Sequence, residues 1–153
     1  YSQIVKKIFF FLLFFISSCG YQPLYQNKDL ENFKFIKITL TGDNYINKRV
    51  TNTISIQESN DAKNEKELFI SSSSEIQETS KNSKGQVESF RIIVAVNLQI
   101  VNKINQDIQN KNFIKEFTYN NKQNKFELIE YQNSIKDGLI DKIINEIIIY
   151  LNS

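Results

Sequence analysis

Ser89-Phe90-Arg91-Ile92-Ile93-Val94-Ala95-Val96-Asn97-Leu98-Gln99-Ile100 alternates in chemistry along its length. Phe90, Ile92, Val94, Val96, Leu98 and Ile100 share one face, while Ser89, Arg91, Asn97 and Gln99 are among the residues on the other. Successive side chains of a strand point to opposite faces, so this period of two marks a strand that buries one side and wets the other. Strands of all-parallel sheets are covered on both faces and read as unbroken apolar runs, so the alternation predicts an antiparallel sheet.

The neighbouring segments fit that sheet. Before the strand, Ser80-Lys81-Asn82-Ser83-Lys84-Gly85-Gln86 has the composition of a loop, and Glu67 to Thr79 reads as a strand with Leu68, Ile70 and Ile76 on one face and serines between them. After it, a turn around Asn105 to Asp107 leads to a strand from Ile108 to Tyr119, completing a meander, and Asn120 to Lys125 connects onward. Nearer the N-terminus, Phe33 to Thr41 predicts the first strand, with Ile36, Ile38 and Leu40 on one face and Lys37, Thr39 and Thr41 on the other. Gly42-Asp43-Asn44 breaks it. From Asn44 to Ser59, Ile46, Val50 and Ile54 recur every four residues behind a cap at Asp43 or Asn44, which suits a helix. The β-branched run Val50 to Ile56 suits a strand equally, and the residues alone leave both open. Asn60 to Lys66 is a polar linker.

Phe126 to Leu151 predicts a long helix, with Leu128, Tyr131, Ile135, Leu139, Ile143, Ile147 and Tyr150 at steps of three and four. Toward its end Ile140, Ile144, Ile148, Ile149 and Leu151 widen the stripe beyond one face. Such girth implies either deep burial between the sheet and the first helix or cover by another protein. The fold class is therefore α+β.

The chain is rich in isoleucine, asparagine and lysine, with no histidine, a single cysteine and only Arg49 and Arg91 as arginines. This is the imprint of an AT-rich genome, so asparagine-rich stretches carry no functional weight. Without histidine, a glycine-rich phosphate loop or a cluster at metal-ligand spacing, catalysis finds no machinery, and no metal or dissociable cofactor is expected. Ser71 to Ser74 lack a histidine base. Glu127 with Glu130, and Asp137 with Asp141, read as a solvated helix face.

Lys6-Lys7, the apolar run Ile8 to Ile16, and Ser17-Ser18-Cys19 have the layout of a bacterial lipoprotein export signal. The nine-residue run covers roughly 14 Å against a hydrocarbon core of about 30 Å, too short for a permanent span. Ile16-Ser17-Ser18-Cys19 resembles a lipobox, with an apolar residue three positions before the thiol and small residues between. Residues 1–18 are then a signal peptide, Cys19 carries a diacylglycerol and an N-acyl chain, residues 19–32 form a tether, and 33–153 form the domain. Each buried CH₂ of such chains contributes about 0.8 kcal/mol, and stable anchoring takes more than one chain. The alternatives are a plain secretory signal with an incidental cysteine and a short buried hydrophobic segment. Loss of Lys6 and Lys7 takes the formal charge from +2 to about zero, so there is no electrostatic case for a nucleic-acid partner.

Cys19-Gly20-Tyr21-Gln22-Pro23-Leu24-Tyr25 resembles the cysteine-glycine-aromatic-x-proline-leucine-tyrosine opening of the LPS-assembly lipoprotein family, LptE, in its alphaproteobacterial form. The order strand, helix, three antiparallel strands, long terminal helix is that family's order too. The resemblance implies a helix for Asn44 to Ser59 and two helices on one face of a four-stranded, mainly antiparallel sheet. It further implies a lipid-anchored, periplasm-facing protein of the outer membrane that plugs and helps assemble the LptD β-barrel, with lipopolysaccharide as a second partner. Gly20 fits sorting to that membrane, since the retention signal known in many enteric bacteria is an aspartate there. Contact with an acidic glycolipid calls for basic groups, for which Arg91, Lys81 and Lys84 are the candidates; the alternative is that they are ordinary solvated charges. A solute-binding or accessory lipoprotein of another envelope transport system, or a purely structural lipoprotein, are the rival expectations.

Overall fold

The computed structural model describes residues 33–60 and 65–153. Its elements follow as β1 (Lys34–Phe35), β2 (Lys37–Gly42), α1 (Asn44–Ile54), β3 (Gln57–Glu58), β4 (Lys66–Lys81), β5 (Val87–Asn102), β6 (Ile108–Asn120) and α2 (Lys125–Leu151). β2, β4, β5 and β6 form one sheet in that spatial order, with β2 parallel to β4 and the remaining pairs antiparallel. This is the α+β architecture that the alternation predicts, and β5 carries it: Ile92, Val94, Val96, Leu98 and Ile100 are all buried, and both helices, together with Phe35, Ile56, Leu68, Ile70, Phe113 and Tyr119, supply the rest of the core cluster.

The first strand departs from expectation. The chain bends at Ile36, whose N–H donates to Lys66 O (2.9 Å), and the bend divides Phe33 to Thr41 into β1 and β2. Phe35 turns into the core instead of the predicted row, leaving Ile38 half-buried and Leu40 exposed on a short edge strand. β1 pairs in parallel with β3, an element the sequence does not announce.

Asn44 to Ser59 resolves as a helix followed by a strand. Asp43 caps α1, its Oδ1 accepting from the N–H groups of Tyr45 (2.9 Å) and Ile46 (3.2 Å). Ile46, Val50 and Ile54 are fully buried, so burial of one stripe overrides the β propensity of the valine, threonine and isoleucine run. Ser55 takes the left-handed conformation (φ 57°) and closes the helix at Ile54, short of the predicted Ser59.

α2 begins at Lys125 behind Asn124, whose side chain accepts from Phe126 N–H (2.9 Å). Leu139, Ile140, Ile143, Ile144 and Ile147 are buried, so the wide stripe is explained mostly by packing between the sheet and α1. Among the residues that widen the stripe Ile149 is the exposed one at 66 %, and nearer the start of the helix Phe126, Ile129 and Tyr131 are exposed as well. Near the start of α2, Tyr119 of β6 stacks on Phe90 (5.8 Å), meets Tyr131 edge-on (5.8 Å) and accepts from Gln132 Nε2 (2.8 Å).

The layers differ in length. β4 and β5 have 16 residues each, about 53 Å at strand rise, whereas the 27 residues of α2 reach about 40 Å. α1, with 11 residues, covers only about 16 Å. Beyond Ser72 every residue of β4 is exposed, and Ile76 and Phe117, which flank the buried Ile92 in register, are 50 % and 45 % exposed.

Candidate functional site

No group of histidine, cysteine, aspartate or glutamate suited to a metal occurs among the described residues, and no described helix is long and apolar enough to cross a membrane. What the fold presents instead is a broad sheet face opposite the helices. Register places Thr41, Ser71, Asn97 and Asn112 in one row across the whole sheet, and Thr39, Phe69, Gln99 and an exposed Asn110 in the next. These rows are uncharged and rich in hydroxyl and amide groups that both donate and accept hydrogen bonds. Such a face can meet a polar surface without desolvating an ion.

Charge on this face lies at its two ends, with Lys37 beside Glu67 in the row beyond Thr39 and the rest toward the β4–β5 turn. Glu75, Ile93 and Glu116 share a row, and Gln77, Arg91 and Thr118 share the next. Arg91 lies beside these carboxylates, with Nη1 3.9 Å from Glu116 Oε2 and Nε donating to Thr118 Oγ1 (3.4 Å). Lys81 ends β4 and pairs with Glu78 (3.0 Å). Lys84 sits in the turn, its backbone N–H donating to Asn82 Oδ1 (2.9 Å) and its side chain exposed. Lys81 lies opposite Val87, about 13 Å along the strand from Arg91, so the three basic candidates do not converge on one point. Ile16, Ser17, Ser18, Cys19 and Gly20 lie outside the described residues.

A polar pin joins the two layers beneath the opposite face, and the sequence does not reveal it. Asn47, 1 % exposed, donates from Nδ2 to Thr41 O (2.8 Å) and accepts at Oδ1 from the buried Ser72 hydroxyl (2.7 Å). Asp43 Oδ2 accepts from Lys136 of α2 (2.9 Å), while Arg49 of α1 bridges Asp137 (2.7 Å) and Asp141 (2.9 Å) and donates to Tyr45 Oη (3.1 Å). Asp137 and Asp141, read from sequence as a solvated pair, are thus the counterions of α1. Gly42-Asp43 is legible as a breaker and cap; Asn47 and Ser72 are hidden in a chain full of asparagine and serine.

Burial pushes the Asp43 carboxyl up, but hydrogen bonds from Lys136 and the Ile46 N–H, the charge of Lys136 and the Tyr45 N–H together hold it below its ordinary value. A folded pKa below the unfolded value of about 3.9 gives stability that is complete above that value and is lost as pH falls through the folded one. Asp43→Ala, which removes the cap and leaves Lys136 without its partner, is expected to cost about 2 kcal/mol at neutral pH. Asp43→Asn keeps the cap and costs less. Urea unfolding at pH 7 and pH 3 checks this, since both variants should lose less stability than wild type on acidification.

No protein-family model matches the chain, and no curated protein is similar to it. Among solved structures, it is similar to the crystal structure of rare lipoprotein B from Shewanella oneidensis, with 14 % identity over 76 % of this chain and 96 % of that one and a TM-score of 0.52. It is also similar to the solution structure of lipoprotein B from Nitrosomonas europaea, with 16 % identity over 83 % of this chain and 88 % of that one and a TM-score of 0.51. At such identities the likeness is one of fold: this chain has the two-helix, four-stranded α+β fold of those two lipoproteins.

Proposed function

We propose that the chain is a non-catalytic envelope lipoprotein, anchored in the outer membrane through lipid on Cys19, whose domain seats as a plug in the LptD barrel and serves delivery of lipopolysaccharide. The observation that carries this reading is the pair of uncharged polar rows across the middle of the sheet face, Thr41 to Asn112 and Thr39 to Asn110, on a fold shared with two lipoproteins. The lumen of an outer-membrane barrel is polar and wet, and a face of hydroxyls and amides exchanges water bonds for wall bonds there at little cost. The layout around Cys19 supports the anchor, and the sequence from Cys19 to Tyr25 supports the family.

Two measurements test it. Extraction with mild detergent should bring the protein out with a large outer-membrane barrel; elution alone with a bound small molecule would favour the solute-binding alternative. Labelling with radioactive palmitate should mark wild type and leave Cys19→Ala unmarked. Equal absence of label from both would remove the anchor from the proposal.

A further inference from the structure

The two edges of the sheet are built differently. β2 is short, and Glu58 Oε1 accepts from its Ile38 N–H (2.8 Å). Past Ser72, where β2 ends, β4 is the edge, and its register slips between Glu78 and Ser80 and again before Lys81. Short length and bulges discourage the addition of a strand. β6 has neither: it is 13 residues long, and its register with β5 runs without a slip from Ser89–Asn120 to Val101–Ile108. Among the described residues no strand lies beyond it.

Asn102 N–H donates to Asp107 O (2.9 Å) and Asn121 N–H to Glu88 O (2.7 Å), at opposite ends of the β5–β6 ladder. Hydrogen-bonded pairs recur at every second residue of an antiparallel ladder, so the odd-numbered residues of β6 bond to β5. Asn110, Asn112, Ile114 and Glu116 therefore turn their N–H and C=O groups outward. Beside this row, between the strand and the flank of α2, runs a groove lined by Lys111, Phe113, Ile114, Glu146, Ile149 and Tyr150. Phe113 meets Tyr150 edge-on (6.0 Å) at its floor, and Ile149 forms its exposed wall. Glu146 is already bonded to Lys115, whereas Lys111 is exposed and has no ion pair among the described residues, so Lys111 sets the charge of the groove.

We propose that β6 takes an extended segment of a different polypeptide as an added antiparallel strand, apolar at its middle and carrying a carboxylate two residues further on. In strand addition the main-chain bonds supply affinity and pockets for alternate side chains supply specificity. The residue opposite Phe113 turns toward α2 and enters the groove against Ile149 and Tyr150. The next residue on that face stands opposite Lys111, which calls for the carboxylate. On the other face a β-branched residue meets Ile114, 53 % exposed, and a cation meets Glu116. β6 of a second copy does not supply this pattern. Its one carboxylate, Glu116, reaches Lys111 only in a register that sets outward backbone groups against inward ones, and pairing about Ile114 puts Lys115 in the groove. A single copy seated in a barrel can take such a segment.

The probe is a capped, fluorescein-labelled peptide, Thr-Lys-Thr-Val-Leu-Thr-Glu-Thr, with leucine falling opposite Phe113, glutamate opposite Lys111, valine opposite Ile114 and lysine opposite Glu116. Anisotropy should show saturable binding to the full chain in detergent micelles, above that of empty micelles. N-methylation of the valine and of the threonine after the leucine removes the bonds to Ile114 and Asn112 and should weaken binding about tenfold. Lys111→Glu should weaken it about threefold, and a peptide with lysine in place of its glutamate should recover that loss. Ile149→Ala, which takes away the groove wall, should also weaken it about threefold. Light scattering should give the mass of one copy with or without the peptide. Absence of binding, equal binding of the N-methylated peptide, or indifference to Lys111→Glu would overturn the proposal. So would a two-copy mass that the peptide leaves unchanged, which would give the edge to a second copy. None of these outcomes touches the barrel reading, on which the proposal does not rest.

Discussion

Gly42→Ala is expected to destabilise the domain by about 3 kcal/mol and lower its melting temperature by roughly 10 °C or more. Gly42 ends β2 with φ +87°, in the left-handed region that L side chains rarely enter. A Cβ there would stand 1.9 Å from Ser72 O, a backbone atom of the neighbouring strand that also accepts from Asp43 N–H (3.0 Å). The methyl can be admitted only by moving β2 off β4, which drags Asp43 out of its cap and Asn47 away from Thr41 and Ser72. Gly85 supplies the control: it has φ +78° with nothing within 4 Å of an added Cβ, so Gly85→Ala bears the backbone strain without the collision and should cost about 1 kcal/mol. Thermal unfolding followed by circular dichroism compares them, and equal melting temperatures would mean that the close approach of β2 to Ser72 is not what makes Gly42 necessary.

Ile143→Ala is expected to cost about 3 to 4 kcal/mol, and Ile149→Ala less than about 0.5 kcal/mol. Both are isoleucines in the last half of α2, Ile143 on the main stripe and Ile149 among the residues that widen it. Ile143 is 0 % exposed within the core, so truncation leaves a cavity; Ile149 is 66 % exposed. Chemical denaturation of the two variants settles how much of the wide apolar stripe serves the fold. A large loss from Ile149→Ala in the isolated protein would indicate a contact within the domain that its exposure does not allow.

The parts of the fold legible in sequence are those where a period is long and uninterrupted. β5 shows its alternation over its apolar core, and α2 shows steps of three and four, so type and place follow from geometry alone. β1 and β3 are two residues each, too short to show any period, and they exist because Phe35 is drawn into the core and the chain bends to let it. α1 is read correctly only once the family resemblance joins the Ile46, Val50 and Ile54 spacing, since its residues favour two structures. The sheet face offered as the site is the polar half of the same alternation and could be foreseen. Arg91 could be placed on it from sequence, but not beside Glu116, because cross-strand neighbours depend on register, which no single strand encodes. The pin of Asn47, Ser72 and Asp43 is invisible for the same reason: Ser72 lies 25 residues from Asn47 and 29 from Asp43, and only the docking of α1 on β4 brings them together.

The inequality between strands and helices sets a yardstick. The β4–β5 hairpin, at about 53 Å, is longer than the roughly 40–45 Å from headgroup to headgroup of a bilayer. Standing upright in a membrane-spanning pore, or tilted by less than roughly 35°, it would have to project past one rim or the other. Where the overhang falls at the far rim, its Ser83–Lys84 tip stands in water on the side opposite its root.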